Sequence, residues 1–431
     1  MNRFSEKTSK IEPHKHRRIL GFAKSLLLGF CSFAIYPQEG FSSDGSKLAA
    51  IIAKDPAIAL GISELTQMSE VIKALPSRLS FATFGSQNSA VAAAQVVTDH
   101  LNQKRFMPKN QNKKEVAIRD VPPEDLFAST SMKNRSKNNE QLGSCQAQGS
   151  WTSWLGAFGE YAHEKLQPEV AAFSFNVGGA VVGIEYNCVN NDVIGFGGSY
   201  VYTHVDEDAN AGSANINQGL WGIYSSLHSN DWYFDLGLWS GYYHTKNARN
   251  IPLSSFFSTH TKTHGWQLAP HVEIGYEGYL SKGCHEQWFG VGPFLLADWI
   301  ANWEDDFTEH GAGLLNMHIK GRFCSLFRSE AGLRFHEIVK CSWGNLVFEE
   351  KVSYAYQKMF GTGTLTAAFV GNPTFITVHT LVSAQNLGVA EFSVIFQPSN
   401  RTWPYADLRY QGQFGSNFQT HQGIIEIGKD F

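Results

Sequence analysis

The stretch RFCSLFRSEAGLRFH (322–336) alternates between two kinds of residue. Phe323, Phe327, Ala331, Leu333 and Phe335 share one side, and Arg322, Arg328, Glu330, Arg334 and His336 share the other. A period of two is the signature of a β-strand. The run is also long, against the roughly five or six residues common in soluble sheets. DWYFDLGLWSGYYH (231–244) repeats the pattern: Trp232, Phe234, Leu236, Leu238 and Tyr242 oppose Tyr233, Asp235, Gly237, Trp239, Gly241 and Tyr243. GWQLAPHVEIGYEGYL (265–280) sets Trp266, Leu268, Pro270, Val272, Ile274 and Tyr276 against Gln267, His271, Glu273 and Glu277. A soluble sandwich would use shorter strands with a polar outer face. Long strands with one apolar face, and glycine and charge on the other, fit a wall between lipid and water. The fold class expected is therefore all-β, an antiparallel transmembrane barrel.

Composition agrees with that reading. Aromatic residues make up 13% of the 431 and charged residues only 17%, yet mean hydropathy is −0.23. Helical membrane spans need long apolar runs. A net charge of −4 leaves no case for nucleic acid as a partner. Strands are expected near 151–163, 172–187, 192–205, 217–228, 231–245, 264–280, 287–301, 318–336, 345–357, 388–397, 402–413 and 421–431, twelve in all. An even number suits a bacterial barrel. CVNND (188–192), HSND (228–231), SKGCHE (281–286) and PSNR (398–401) read as short turns. The stretches 206–217, 246–262, 302–316 and 358–387 read as long loops. Short turns face the periplasm in such barrels, which puts both ends of the barrel on that side.

The region before the barrel differs in character. HKHRR (14–18), the apolar SLLLGFCSFA (25–34) and the small-x-small Ser32-Phe33-Ala34 read as a signal peptide over 1–34. Residues 35–105 form a short N-terminal extension with helical segments, SKLAAIIAKDPAIAL (46–60) and SAVAAAQVVTDHLNQKR (89–105). Residues 106–149 read as a polar linker around Pro122-Pro123, and the barrel occupies 150–431.

Lumen-facing charges are expected at Glu273, Glu277, Asp298, Arg328, Glu330, Arg334, Glu349, Lys351, Asp407 and Arg409. Charged pairs at such positions line a wet interior and hold the barrel's shape. No HExxH, Ser/His/Asp context, phosphate loop or metal spacing is present. Catalytic residues, cofactors and metals are therefore not expected. Cys145, Cys188, Cys284 and Cys341 fall in or beside proposed periplasmic connections. Successive turns on one rim lie about 9–10 Å apart, and a disulfide needs Cα atoms within about 7 Å. Those thiols are thus candidates for cross-links to neighbouring envelope proteins, or for pinning the linker to the rim through Cys145.

The last eleven residues, HQGIIEIGKDF, alternate up to an aromatic. Phe431, Lys429, Ile427, Ile425 and Gly423 share the lipid-facing side of this closing strand. A terminal aromatic on an alternating last strand resembles the signal read by the barrel-assembly machinery. Four stretches then carry a family resemblance: WTSWLGAFGEY (151–161), FRSEAGLRF (327–335), NPTFITVHTLVSAQNLGVAEFSVIF (372–396) and LRYQGQFGSNFQTHQGIIEIGKDF (408–431). In this order and spacing they resemble the β-barrel translocator domain of autotransporters, including the polymorphic outer-membrane protein branch.

The resemblance implies a twelve-stranded barrel in the bacterial outer membrane, with a helix threading its lumen. Residues 89–105 are the best match for that helix, and 46–74 and 124–145 are alternatives. It implies type V secretion, in which the barrel displays or exports its own N-terminal segment. The rival reading is a structural, adhesive or pore-forming barrel whose extension stays periplasmic or plugs the lumen. The implied partners are outer-membrane lipid, the barrel-assembly machinery, periplasmic chaperones, and a host or surface ligand met by the outer loops.

Overall fold

A computed structural model describes residues 77–105 and 149–431, apart from 166–171, 189–191, 209–211, 230, 252–257, 283–287, 362–363, 371–374, 380–383 and 401–402. Its first element is a helix, α1 (Ser77–Arg105). Then come β1 (Ser150–Glu164), β2 (Phe173–Asn187), β3 (Val193–Glu207), β4 (Gly212–Ser229), β5 (Trp232–Asn250) and β6 (Ser258–Tyr276). Past Glu277, β7 (Gly278–Lys282) prolongs β6 along the same neighbour, β8 (Trp288–Glu304). Two short strands follow, β9 (Phe307–Thr308) and β10 (Met317–Ile319). The wall resumes with β11 (Arg322–Cys341) and β12 (Gly344–Phe360). After β13 (Thr364–Phe369) and β14 (Ile376–His379), it ends with β15 (Ala384–Pro398), β16 (Tyr405–Phe414) and β17 (Phe418–Asp430).

The wall closes. Each wall strand pairs antiparallel with the next, and β17 returns to β1 from Thr152↔Asp430 to Glu164↔Phe418. Counting β6 and β7 as one, the barrel has twelve strands. Closure removes the unpaired edges that an open sheet would present to lipid.

Side chains alternate as the period of two demands. In β1, Trp151 and Leu155 point outward and are exposed, while Trp154 and Phe158 are buried in the lumen. Lumenal aromatics sit directly opposite glycines on a neighbouring strand: Trp154↔Gly183, Tyr224↔Gly195, Tyr243↔Gly265 and Tyr405↔Gly428. A Cβ on Gly183 would lie 2.3 Å from Trp154 Nε1, so the ring occupies the space that the missing side chain leaves.

Exposed aromatics form two belts. Tyr242, Trp266, Trp303 and Phe323 are successive cross-strand partners on four adjacent strands. Trp151, Trp232, Trp343 and Trp403 are exposed near the opposite rim. Ten positions separate Trp232 from Tyr242, about 33 Å along the strand. A strand tilt of about 40° reduces this to about 25 Å, the height of the apolar band of an outer-membrane barrel.

The rims differ in a way that corrects two expected loops. Stretches 206–217 and 246–262 are largely strand, because β4, β5 and β6 run 18, 19 and 19 residues. Crossing a bilayer needs only about 9–11 residues, so these strands rise beyond the outer belt. Hydrogen bonds between them persist where polar side chains cover both faces. The other two long connections carry a second sheet, ordered β14-β13-β10-β9. It is joined to the wall by a bridge between His260 and His310. Arg249 on β5 forks onto Glu309, donating from Nε at 2.9 Å and from a terminal nitrogen at 2.5 Å. Thr259 Oγ1 and the Met317 amide also donate to Glu309, at 3.1 and 3.0 Å.

Candidate functional site: the plugged lumen

The helix α1 lies inside the barrel. Its 29 residues span about 43 Å at 1.5 Å per residue, enough to run from rim to rim. From Ala82 onward it is buried on both its polar and apolar sides: Gln87, Asp99, His100, Asn102 and Gln103 are as covered as Val96 and Leu101. Only the lumenal wall can surround a helix in this way, and polar side chains such as Asp99 and His100 take their partners from its strands.

The half nearer the long loops packs by shape. Phe84 meets the edges of Phe173, Phe175 and Phe418, with ring centroids 5.8, 6.1 and 5.7 Å away. Arg322 donates to Thr83 Oγ1 at 2.7 Å and to Glu304 at 2.5 Å. Gly85 faces β3 and β4, where a Cβ would come within 3.0 Å of Val205 and 3.3 Å of Ile216. Lower down, the wall supplies the small residue: a Cβ on Gly156 would lie 2.8 Å from Val96 Cγ1.

The half nearer the short turns packs by charge. His100 is held between two carboxylates, Nε2 at 2.8 Å from Glu185 and Nδ1 at 2.6 Å from Glu426. An ionised carboxylate only accepts, so both ring nitrogens donate in this arrangement. The imidazole stacks on Trp154 with centroids 4.2 Å apart. Tyr405 donates its hydroxyl to Glu426 at 3.0 Å. One turn on, Lys104 reaches Glu185 at 3.0 Å and Asp430 at 3.2 Å. Arg105 pairs with Asp235, lies 3.5 Å from Glu277, and sits over the Tyr233 ring at 3.3 Å from its centroid. Thr98 is 3.2 Å from His271, which bonds Asp298 at 2.7 Å.

Most of the sequence-derived lumenal charges fall into two groups, the first of them completed by Glu391. Arg328, Glu330, Lys351, Glu391, Arg409 and Asp407 form one chain of contacts, with Arg328–Glu330 at 2.7 Å, Lys351–Glu391 at 2.6 Å and Arg409–Asp407 at 2.9 Å. The helix joins this chain through Asp99, 3.1 Å from Arg409. Arg334 forks onto Glu273 and takes in Tyr233, which links that cluster to Arg105. Glu277 is partly exposed at the lower end of the lumen. Sequence reasoning passed over the helix partners Asp99, His100, Lys104 and Arg105, and Glu185 and Glu391 on the wall. The available signal was the polar run TDHLNQKR closing a helix of alanine and valine.

Phe431, Ile427 and Ile425 all point outward and are exposed. Phe431 exchanges backbone hydrogen bonds with Trp151, at 2.8 and 3.2 Å. Cys188 is disulfide-bonded and Cys341 carries a free thiol. Cys145 and Cys284 lie outside the described residues, as do the alternative lumenal segments 46–74 and 124–145. Among the described residues, no group of His, Cys, Asp and Glu could hold a metal ion.

A family model for the autotransporter β-domain matches residues 153–409, more than half of the chain. In solved structures the fold is similar to the translocator domain of the autotransporter NalP from Neisseria meningitidis. The TM-score is 0.50 at 13% identity, covering 67% of this chain and 91% of that one. The β-domain of the Bordetella autotransporter BrkA aligns with a TM-score of 0.49 at 13% identity, over 65% of this chain and 100% of that one. Comparison with curated proteins finds no match. With a closed twelve-stranded wall, a helix through the lumen and a family match over most of that wall, the chain belongs to the autotransporter family.

Proposed function

We propose that this protein resides in the bacterial outer membrane and carries its own N-terminal segment to the cell surface, leaving α1 in the barrel. The observation that carries this is the polarity of the helix. Thr83 bonds groups at the rim of long loops, and Lys104 bonds Asp430 at the rim of short turns. A chain that entered from the periplasm and passed outward, amino end first, is left in this orientation. Export then needs no nucleotide. The proposed organisation remains a signal peptide at 1–34, an extension at 35–105, a linker at 106–149 and the barrel at 150–431. Phe431, Ile427 and Ile425 form the signal for barrel assembly. The barrel has no catalytic role in this scheme.

The experiment is a pair of epitope tags. One stands between Lys54 and Asp55, upstream of the helix. The other stands between Asn110 and Lys113, downstream of it. Intact cells should label the first and not the second, and permeabilised cells should label both. If the first tag also requires permeabilisation, the extension never crosses. The protein is then a plugged structural barrel, a reading that the tight lumenal packing of α1 would favour.

A further inference from the structure

Beyond the outer aromatic belt the outward face of the wall changes chemistry in register. Tyr242 and Trp266 are direct partners across β5 and β6. The next outward pair is His244 and His264, and the next is Lys246 and Lys262. The two imidazoles stack at 4.7 Å, with their Nδ1 atoms 3.1 Å apart. Like charges directly opposite each other across a sheet destabilise it. Neither lysine forms an ion pair among the described residues. The lysines line a cavity of ≈ 630 Å³ with Asn215, His260, Asp306 and His310. That volume suits a small headgroup. Asp306 is the carboxylate among its described lining residues.

The level of the cavity points to its occupant. Lys246 stands four residues beyond Tyr242, about 13 Å along the strand and about 10 Å above the belt once tilt is included. Headgroups occupy the layer just outside the hydrocarbon, about 5–8 Å deep on each side, so the Lys246 backbone stands just above that layer and its side chain must reach down to it. Lysine stems bend toward such an interface. The ladder is also continuous with aromatics that face lipid.

We propose that this cavity binds a phosphate-bearing sugar headgroup of the outer-leaflet lipid around the barrel. The phosphate bridges the Lys246 and Lys262 ammonium groups, turning a repulsive pair into two charge-assisted contacts. Asn215, His260 and His310 face the sugar hydroxyls, and Tyr242 and Trp266 cover the first acyl segments. The inference rests on the outer-membrane placement and is independent of export. A soluble sugar phosphate offers the same headgroup without the chains, so the test separates the two sources.

The full chain is folded in detergent micelles as wild type, K246A/K262A and K246R/K262R, with heat-modifiable gel migration confirming a closed barrel in each. Lipid A, chemically dephosphorylated lipid A and N-acetylglucosamine 1-phosphate are titrated in turn, and binding is read by native mass spectrometry. Lipid A should bind wild type and the arginine variant alike, and bind the alanine variant about tenfold or more weakly, the loss expected for charge-assisted contacts. Dephosphorylated lipid A should bind wild type as weakly. Equal binding of both lipid forms to wild type, or of lipid A to the alanine variant, overturns the proposal. A soluble sugar phosphate binding as tightly as lipid A overturns the lipid source. If the alanine variant does not close, the comparison of the two lipid forms on wild type still decides.

Discussion

At the scale of single residues, the lumen places two kinds of demand on α1. His100 answers the electrostatic one. It stands between Glu185 and Glu426, and all three side chains are buried. Removing one member of a buried charged cluster leaves the others uncompensated, typically at about 3–5 kcal/mol. His100→Ala should therefore lower the temperature at which the folded form disappears on heat-modifiability gels. A neutral change at the exposed Tyr200 should not. Gly156 answers the steric demand, since a Cβ there meets Val96 at 2.8 Å. Gly156→Ala should destabilise by about 1–3 kcal/mol through overpacking. Combined with Val96→Ala it should cost less than the sum of the two single changes. Strict additivity would mean that the residues do not touch. The facing of lumenal residues such as Glu273 and Arg334 was legible in the sequence, because a period of two assigns each position to a side. Their partners were not. His100 is 85 positions from Glu185 and 326 from Glu426, and only the closed barrel brings them together.

At the scale of elements, legibility follows the strength of the local pattern. All twelve wall strands announced themselves, because lipid on one side and a packed lumen on the other enforce alternation where they cross the apolar band. Above the membrane that pressure ends. The upper parts of β4, β5 and β6 keep their ladders but lose the apolar face, so their sequence reads as loop. The outer sheet was hidden for the same reason, since β9 and β10 have only two and three residues. The first turns of α1 were hidden differently. A helix surrounded on every side has no polar face, so ATFGSQN (82–88) shows no amphipathic period. The closing element yields a prediction of its own. β17 pairs with β1 over thirteen positions, and Phe431 extends the ladder by two backbone hydrogen bonds to Trp151. Deleting Phe431 removes those bonds together with an outward aromatic at the lower rim. Less barrel should reach the outer membrane, measured as the heat-modifiable fraction, while Phe431→Tyr should retain it. Equal insertion after deletion would mean that Ile425 and Ile427 suffice.

At the scale of the whole molecule, wall and plug form one electrostatic object. A twelve-stranded wall encloses room for a helix about 10–12 Å across, and α1 fills it. The wild-type barrel should therefore pass little current in a planar bilayer. Deleting Ser77–Arg105 should open it, because a closed β-wall keeps its hydrogen bonds without a plug. The open form should also prefer cations. Lys104 and Arg105 leave with the helix, and Glu185, Glu426 and Asp235 stay behind on the wall without their main partners. Acidic rings select cations in water-filled pores. Reversal potentials under a salt gradient read this sign directly. Glu185→Gln combined with Asp235→Asn in the deleted form should move the reversal potential back toward zero. An unplugged barrel that stays closed would assign the seal to the outer sheet of β9, β10, β13 and β14, anchored by Arg249 and Glu309. In that event Arg249→Met, which releases the anchor, should open the pore where loss of the helix did not.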